Sequence, residues 1–403
     1  MADSPALPAE KDHVDERALN KRVRRHVTGR IRDYYAITTP GVEEYCRQEL
    51  IGLGIDPCGL SVGAGGVTFA GRLVDCQLAN LHLRTATRIL MRIDDFSATH
   101  LRRLEKKAGD IAWELFLPAG HIPTVKVSSH RSRLHHTEAI AQSIGGSIIR
   151  RLNADGGSPP SVFPQTLFVR VVKDRFTLSL DSSGEPLYKR GLKTGPARAP
   201  IRETLAAATL MAAGYDPRRP LVDPLCGSGT FSLEAAMMAK KMAPGLKRAF
   251  AFMGWPAFSE GQWRFIKREA ESKVQDLKQP LIFASDVDAE ACEQLAGMIK
   301  GRGLSDAVSV VQKDFFQCGA DQYGDGTGLV VINPPYGIRI GSANKADELF
   351  RNIGRHLAQR FKGWTVALIA PRSELASGLP FPARRLPLHH GGLKLTLVLG
   401  KIP

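Results

Sequence analysis

Four consecutive residues, Asn333-Pro334-Pro335-Tyr336, carry the most specific chemistry in this sequence of 403 residues. A planar base amine is a poor nucleophile, because its nitrogen lone pair is delocalised into the ring. The Asn333 side-chain oxygen and the Pro334 carbonyl can both accept hydrogens from such an amine. That pulls the nitrogen toward tetrahedral geometry and aims its lone pair at an incoming methyl group. Two prolines stiffen the loop, so both acceptors are preorganised. Tyr336 offers a ring to stack on a base swung out of its helix. A strong general base is not required, since a methylated amine sheds its proton easily. A rigid Pro-Pro turn without chemistry is the bland alternative, and it gains little support at the end of a strand.

A methyl donor needs a site of its own, and the sequence offers one upstream. Asp223-Pro-Leu-Cys226-Gly227-Ser-Gly229-Thr230 follows an expected strand and opens a helix. Its glycines let the backbone approach a ligand closely, and the helix start presents unpaired N–H groups. Ser232 stands where a nicotinamide-binding turn would place its third glycine. No Gly-Lys-Ser/Thr follows, so a phosphate-binding P-loop is excluded. The leading Asp223 suits the charged methionine amine of S-adenosyl-L-methionine. Asp286 closes the next strand, where a carboxylate accepts both ribose hydroxyls of a nucleoside; Asp288 reads as a helix cap. Asp314 closes the third, placed to accept from an adenine amine, with Phe315 to cover the ring. One aspartate at a strand end is common, and three after successive strands are harder to dismiss.

The elements that must position these residues are legible as an alternation. Strands are expected at 221–222, 281–285, 308–311, 329–332, 364–369 and 393–399. Helices are expected near 201–213, 230–242, 260–276, 288–300 and 346–361. Strand–helix alternation predicts a parallel sheet covered on both faces. The last strand is reached through a glycine-bearing link (Gly391-Gly392) too short for a crossover helix, so an antiparallel hairpin should close the sheet. The fold class is therefore α/β: a Rossmann-like methyltransferase sheet with an antiparallel last strand, preceded by a smaller α+β region.

That first half reads differently. A strand over 33–38, a helix over 42–53, a short strand over 63–69 and a longer mixed segment over 81–93 precede a strand at 122–128. A helix with Ile140, Ile144 and Ile148 at intervals of four follows, then a break at 153–160 and a hairpin of 167–172 with 177–180. Residues 1–30 read as a disordered basic tail ending in Lys21-Arg22-Val23-Arg24-Arg25. The Gly/Pro/Lys/Arg-rich stretch 182–199 reads as the main domain boundary. Arg131, Arg133, His135 and His136 cluster between a strand and a helix as candidate RNA contacts, with a solvated loop as the plain alternative.

Composition narrows the partners. The net charge is +15 and the excess of basic residues is shared almost equally between residues 1–200 and the rest. Such a balance favours a polyanionic partner through counterion release, without saying which half holds it. The 6 cysteines are scattered without paired spacing, so reduced, mostly buried thiols are expected, and no metal. No apolar run reaches the roughly 18 residues of a membrane span, and no signal-peptide core is present, so a cytoplasmic location is expected.

At this point the sequence resembles the THUMP-containing, Rossmann-type guanine methyltransferases of large-subunit ribosomal RNA. The similarity covers nearly the whole chain after the tail. It rests on T-T-P-G-V-E-E-Y from Thr38, R-T-A-T-R-I-L from Arg84, I-A-W-E from Ile111 and S-H-R-S-R-L-H-H-T from Ser129. Further along it rests on D-S-S-G-E-P-L-Y-K-R-G from Asp181, A-P-I-R-E-T-L-A-A from Ala199, M-G-W-P-A-F from Met253, and the D-P-L-C-G-S-G-T-F and N-P-P-Y-G runs. The resemblance implies a ferredoxin-like domain over 31–95, an RNA-gripping THUMP domain over 96–190 and a methyltransferase domain over 191–403. It implies transfer of methyl from S-adenosyl-L-methionine to the N2 amine of a guanine in 23S ribosomal RNA, and it nominates Thr204 beside the cofactor. Some members carry a second methyltransferase domain. None follows in these 403 residues, so only amine methylation carries over. After Gly337 the sequence reads Ile-Arg-Ile, where many members have an acidic residue. The alternatives are a transfer RNA guanine, a DNA adenine or a protein glutamine as acceptor, or a non-catalytic RNA-binding assembly factor. The oligomeric state is not legible.

Overall fold

Apolar strands with polar turns between them build two seven-stranded sheets, one in each half of the chain, in this computed structural model. The structure describes residues 9–118, 120–152, 163–191, 201–324, 326–335, 343–390 and 392–403.

The first sheet comprises β1 (Arg32–Thr38), β2 (Leu60–Gly63), β3 (Gly66–Gly71), β4 (Ala86–Ser97), β5 (Thr124–His130), β6 (Thr166–Val172) and β7 (Arg175–Asp181), in the order β2-β3-β1-β4-β7-β6-β5. All its pairings are antiparallel except β5 with β6. The long β4 crosses residues 95 and 96, where two domains were expected to meet, and pairs with β1 on one side and β7 on the other. Helices α2 (Glu43–Gly52), α3 (Leu73–His82), α4 (Leu101–Asp110) and α5 (Thr137–Leu152) cover it.

Residues 9–28 depart from the expected disordered tail. They form α1 (Ala9–Val23) and a π-turn (Arg24–Thr28). Val23 and Val27, four apart, are buried in the core of the first half, and Leu19 packs against it. Arg22 reaches Glu114 at 2.7 Å. A narrow apolar stripe within a highly charged segment is enough to dock this helix.

The second sheet comprises β8 (Leu221–Asp223), β9 (Ile282–Asp286), β10 (Val308–Gln312), β11 (Leu329–Ile332), β12 (Thr365–Ala370), β13 (Ala383–His390) and β14 (Leu393–Lys401), in the order β10-β9-β8-β11-β12-β14-β13. Strands β8 to β12 are mutually parallel, and β14 runs antiparallel to both β12 and β13. This is a Rossmann-like sheet closed by an antiparallel hairpin, as expected. The helices are α6 (Glu203–Ala212), α7 (Thr230–Ala239), α8 (Glu260–Ser272), α9 (Ala289–Gly301), α10 (Ala343–Arg360) and the short α11 (Ser373–Ser377). Among the described residues no helix is long and apolar enough to cross a membrane.

The stretch read as a boundary is not loose where it is described. Ser182 and Ser183 are buried and bonded to Asn80, and the Ser182 carbonyl accepts from Phe252 N–H at 3.1 Å. Residues 243–270, which follow α7, send Phe250, Phe252, Trp255 and Trp263 into the core of the first half. A buried ion cluster joins the halves as well. Arg190 Nε donates to Glu234 Oε1 at 2.9 Å, and its Nη2 donates to the Arg84 carbonyl at 2.6 Å. Arg84 lies 3.6 Å from the second Glu234 oxygen, an ion pair longer than a hydrogen bond, and donates to the Met242 carbonyl at 2.6 Å. Glu234 sits on α7, the helix that starts at the glycine-rich loop.

Candidate active site

The strand order decides which side chains meet. Asp223 ends β8, Asp286 ends β9, Asp314 lies two residues past β10, and Asn333 follows β11 directly. Since β10, β9, β8 and β11 are neighbours and parallel, all four residues emerge at one carboxyl edge, about 5 Å apart from strand to strand. The chain order reverses direction between β8 and β11, the place where doubly wound sheets open a crevice for ligands.

The loop from β8 to α7 is held by backbone geometry and by β9. Gly229 has a positive φ of 71° and caps α7; a Cβ there would meet Leu295 of α9 at 2.2 Å, so only glycine lets the two helices approach. Gly227, with φ of 49°, faces open space, and its N–H donates to Asp286 Oδ2 at 2.9 Å. Cys226 N–H donates to the Ser285 carbonyl at 2.9 Å. Burial pushes the Cys226 thiol well above its ordinary pKa, so it is a packing group, not a nucleophile. Thr230 is the buried first residue of α7.

The three carboxylates differ in what they already do. Asp286 also accepts from Asp288 N–H at 3.1 Å. Two of its roughly four lone-pair directions are thus spent on fixing the loop, and two are free for ribose hydroxyls. Asp223 is buried and accepts the Ser232 hydroxyl at 2.7 Å. Burial pushes its carboxyl up to about 7, the mark of a carboxylate short of positive charge. A bound ammonium group would supply it. Asp314 accepts from Phe316 N–H at 3.0 Å and caps a single turn, Phe315–Gln317.

That turn corrects one expectation. Phe315 points into the core, 1% exposed, with its ring centroid 4.7 Å from that of His356. It has no face to offer an adenine. The neighbouring Phe316 is 42% exposed, and Val287, directly after Asp286, is 59% exposed. Two apolar side chains left in solvent beside the two carboxylates are what a nucleoside base would cover. Sequence reading missed both; Val287 directly after Asp286 was an available signal, whereas Phe316 stands second after Asp314, behind the buried Phe315.

On the other flank, Asn333 Oδ1 is shielded from solvent and has no hydrogen-bond partner among the described residues. Pro334 is buried and Pro335 exposed. Tyr336 and the Ile338-Arg339-Ile340 run lie outside the described residues. Thr204, on α6, is 1% exposed and its hydroxyl also lacks a partner there. The residues therefore fit an adenosyl-amino-acid cofactor on one flank and an amine-bearing acceptor on the other.

Arg131, Arg133, His135 and His136 are all exposed and follow β5, the open edge of the first sheet. Arg131 has φ of 51°, Arg133 N–H donates to Asp174 Oδ1 at 2.7 Å, and the two histidine rings sit 4.1 Å apart. They form one basic loop, on a different sheet from the aspartates.

Comparison with known proteins places the chain in a family. Residues 190–384 match a family model described as an RMKL-like methyltransferase domain, and residues 33–90 match an RlmL ferredoxin-like domain. A Synechocystis protein named "Putative RNA methyltransferase" is 30% identical over 386 residues, covering 91% of this chain and 96% of that one. The ribosomal RNA large subunit methyltransferase K/L of Methylococcus capsulatus is 32% identical over 381 residues, which is 91% of this chain and 51% of the relative. This chain thus spans about half the length of that K/L relative. The crystal structure of SMU.472 complexed with SAH superposes with a TM-score of 0.83 at 28% identity, covering 93% and 98% of the two chains.

Proposed function

The chain belongs to the RMKL-like RNA methyltransferase family, and on that premise we propose that it methylates the N2 amine of a guanine in large-subunit ribosomal RNA. S-adenosyl-L-methionine is the methyl donor, in keeping with the demethylated cofactor in the SMU.472 structure. When bound it supplies an electrophilic methyl group on a sulfonium.

Asp223 would hold the amino-acid end, Asp286 the ribose, and Asp314 with Phe316 the base. Gly227 leaves the room that a side chain would fill. The acceptor amine then donates to Asn333 Oδ1 and to the Pro334 carbonyl, which localises its lone pair. The N–CH3 bond forms as the S–CH3 bond breaks, and the extra amine proton leaves to water. Tyr336 would stack on the acceptor base, and Thr204 would line the cofactor side from α6. The ferredoxin-like region and the following THUMP-like residues, 96–190, would grip the RNA, with Arg131, Arg133, His135 and His136 among the contacts.

The observation that carries this reading is the Asn333 Oδ1 at the mouth of β11, shielded from solvent and without a partner among the described residues, next to a carboxylate starved of positive charge. Its test is methyl transfer from labelled cofactor to stripped large-subunit RNA, transfer RNA and duplex DNA, followed by nucleoside mass spectrometry. N2-methylguanosine in ribosomal RNA is the expected product. Label confined to DNA or to transfer RNA would overturn the assignment.

A further inference from the structure

A cleft of about 360 Å³ opens between the N-terminal helix and the base of the first sheet, apart from the carboxyl edge described above. Its basic side chains come from successive elements: Arg22 from the last turn of α1, His26 from the π-turn, Arg30 from the link that follows, and Arg32 from the start of β1. The acid among its lining residues is Asp94. Arg22 spends one nitrogen on Glu114. Arg30 is exposed and has no ion pair or hydrogen bond among the described residues. Arg32 is held in place, its guanidinium 4.8 Å from the Phe116 ring centroid and its Nη2 donating to the His26 carbonyl at 2.6 Å. Burial draws Arg32 below its ordinary pKa, and Arg32 makes no ion pair among the described residues. Ile93 gives the cleft an apolar wall, and Phe116, buried against the Arg32 guanidinium, closes its floor.

Arg32 is a guanidinium fixed by its stack on Phe116, and Arg30 is an exposed guanidinium beside it without an acceptor among the described residues, a pair that binds phosphate through charge-assisted N–H···O bonds. The volume admits one nucleotide unit. One wall, α1 with its π-turn, precedes the matched ferredoxin-like segment, which begins at residue 33. We infer that this cleft is a phosphate site that seats one nucleotide of the RNA strand, with the phosphate on Arg30 and Arg32 and the sugar or base against the apolar wall. The inference rests on the RNA reading above and extends it to a grip outside both the methyl-transfer site and the loop after β5.

The test uses the full chain and a fluorescent single-stranded oligoribonucleotide, with binding measured across a salt series. Arg30→Glu is expected to weaken binding about five- to tenfold at 0.1 M salt and to lower the salt slope by about 1 to 2. Arg30→Lys should restore most of the affinity, since phosphate accepts a point charge. Cofactor binding should be the same in both variants, which shows that the fold is intact. Photo-crosslinks from a thiouridine-bearing strand should map to residues 22–32. Unchanged affinity and slope in Arg30→Glu would overturn the site. A cleft that binds pyrophosphate in wild type and not in Arg30→Glu, with strand affinity unaltered, would overturn the strand as its ligand in favour of a free phosphate compound. Failure of RNA methylation with the Arg30 effect intact would count against the proposed reaction and leave the cleft standing.

Discussion

The two flanks of the carboxyl edge are prepared to different degrees. On the cofactor flank each carboxylate is already engaged: Asp286 with two backbone N–H groups, Asp223 with the Ser232 hydroxyl, Asp314 with Phe316 N–H. On the acceptor flank, Asn333 Oδ1 is out of solvent with nothing to accept among the described residues. The first flank keeps its shape without a ligand. The second bears an unpaired acceptor that costs on the order of 1–3 kcal/mol until an amine arrives. That deficit is relieved by the reacting group itself, so the interaction can favour the transition state over the empty enzyme.

Four measurements test that difference, beginning with the largest effect. Asn333→Ala should lower turnover by at least ~100-fold while leaving cofactor affinity within about twofold. An equal fall in both, read by single-turnover kinetics and calorimetry, would erase the distinction between the flanks. Asp286→Ala should weaken cofactor binding ~10- to 100-fold, because it removes ribose acceptors and releases the Gly227 and Asp288 N–H groups together. A loss confined to turnover would break the assignment.

The third concerns pH. The Asp223 carboxyl stands at about 7 in the free protein. A cation beside it favours the ionised form, so binding must expel a proton wherever the free group is protonated. Cofactor affinity should therefore rise as pH climbs from 5 to 7, by up to ~10-fold per unit, and level off above. Asp223→Asn should flatten that profile, and a wild-type profile already flat would sink the idea. The smallest effect separates two adjacent rings. Phe316→Ala should weaken cofactor binding about three- to tenfold. Phe315→Ala should show instead as a lower melting temperature, since that ring is in the core.

Much of this edge was legible in the sequence, because buried parallel strands read as short apolar runs and each is followed by a polar residue that stands out. The glycine link pointed to an antiparallel closure, but of the two strands it joins only β14 stood out as an apolar run. What escaped had physical reasons. β13 carries Pro387 and paired arginines and histidines, and it is an edge strand, where a missing N–H and polar side chains are tolerated. α1 hid behind its charge, with only Leu19, Val23 and Val27 to mark a buried stripe. α4 has the same disguise, with Leu104 and Ala108 buried in a basic segment. Two adjacent phenylalanines could not be told apart, since one tight turn decides which ring faces inward. Ser232 was noted only as a glycine that was not there; its bond to Asp223 needs the helix phase.

The buried Glu234 has a consequence for anyone who would cut this chain in two. A methyltransferase half begun at residue 201 would keep the acid, lose its partners Arg84 and Arg190, and open to water the face they cover. The Trp263 face would lose its core as well, since Phe250, Phe252, Trp255 and Trp263 all pack into the first half. The two halves share a core and a buried ion cluster, so a shift in the first half bears directly on α7, the helix that starts at the glycine-rich loop.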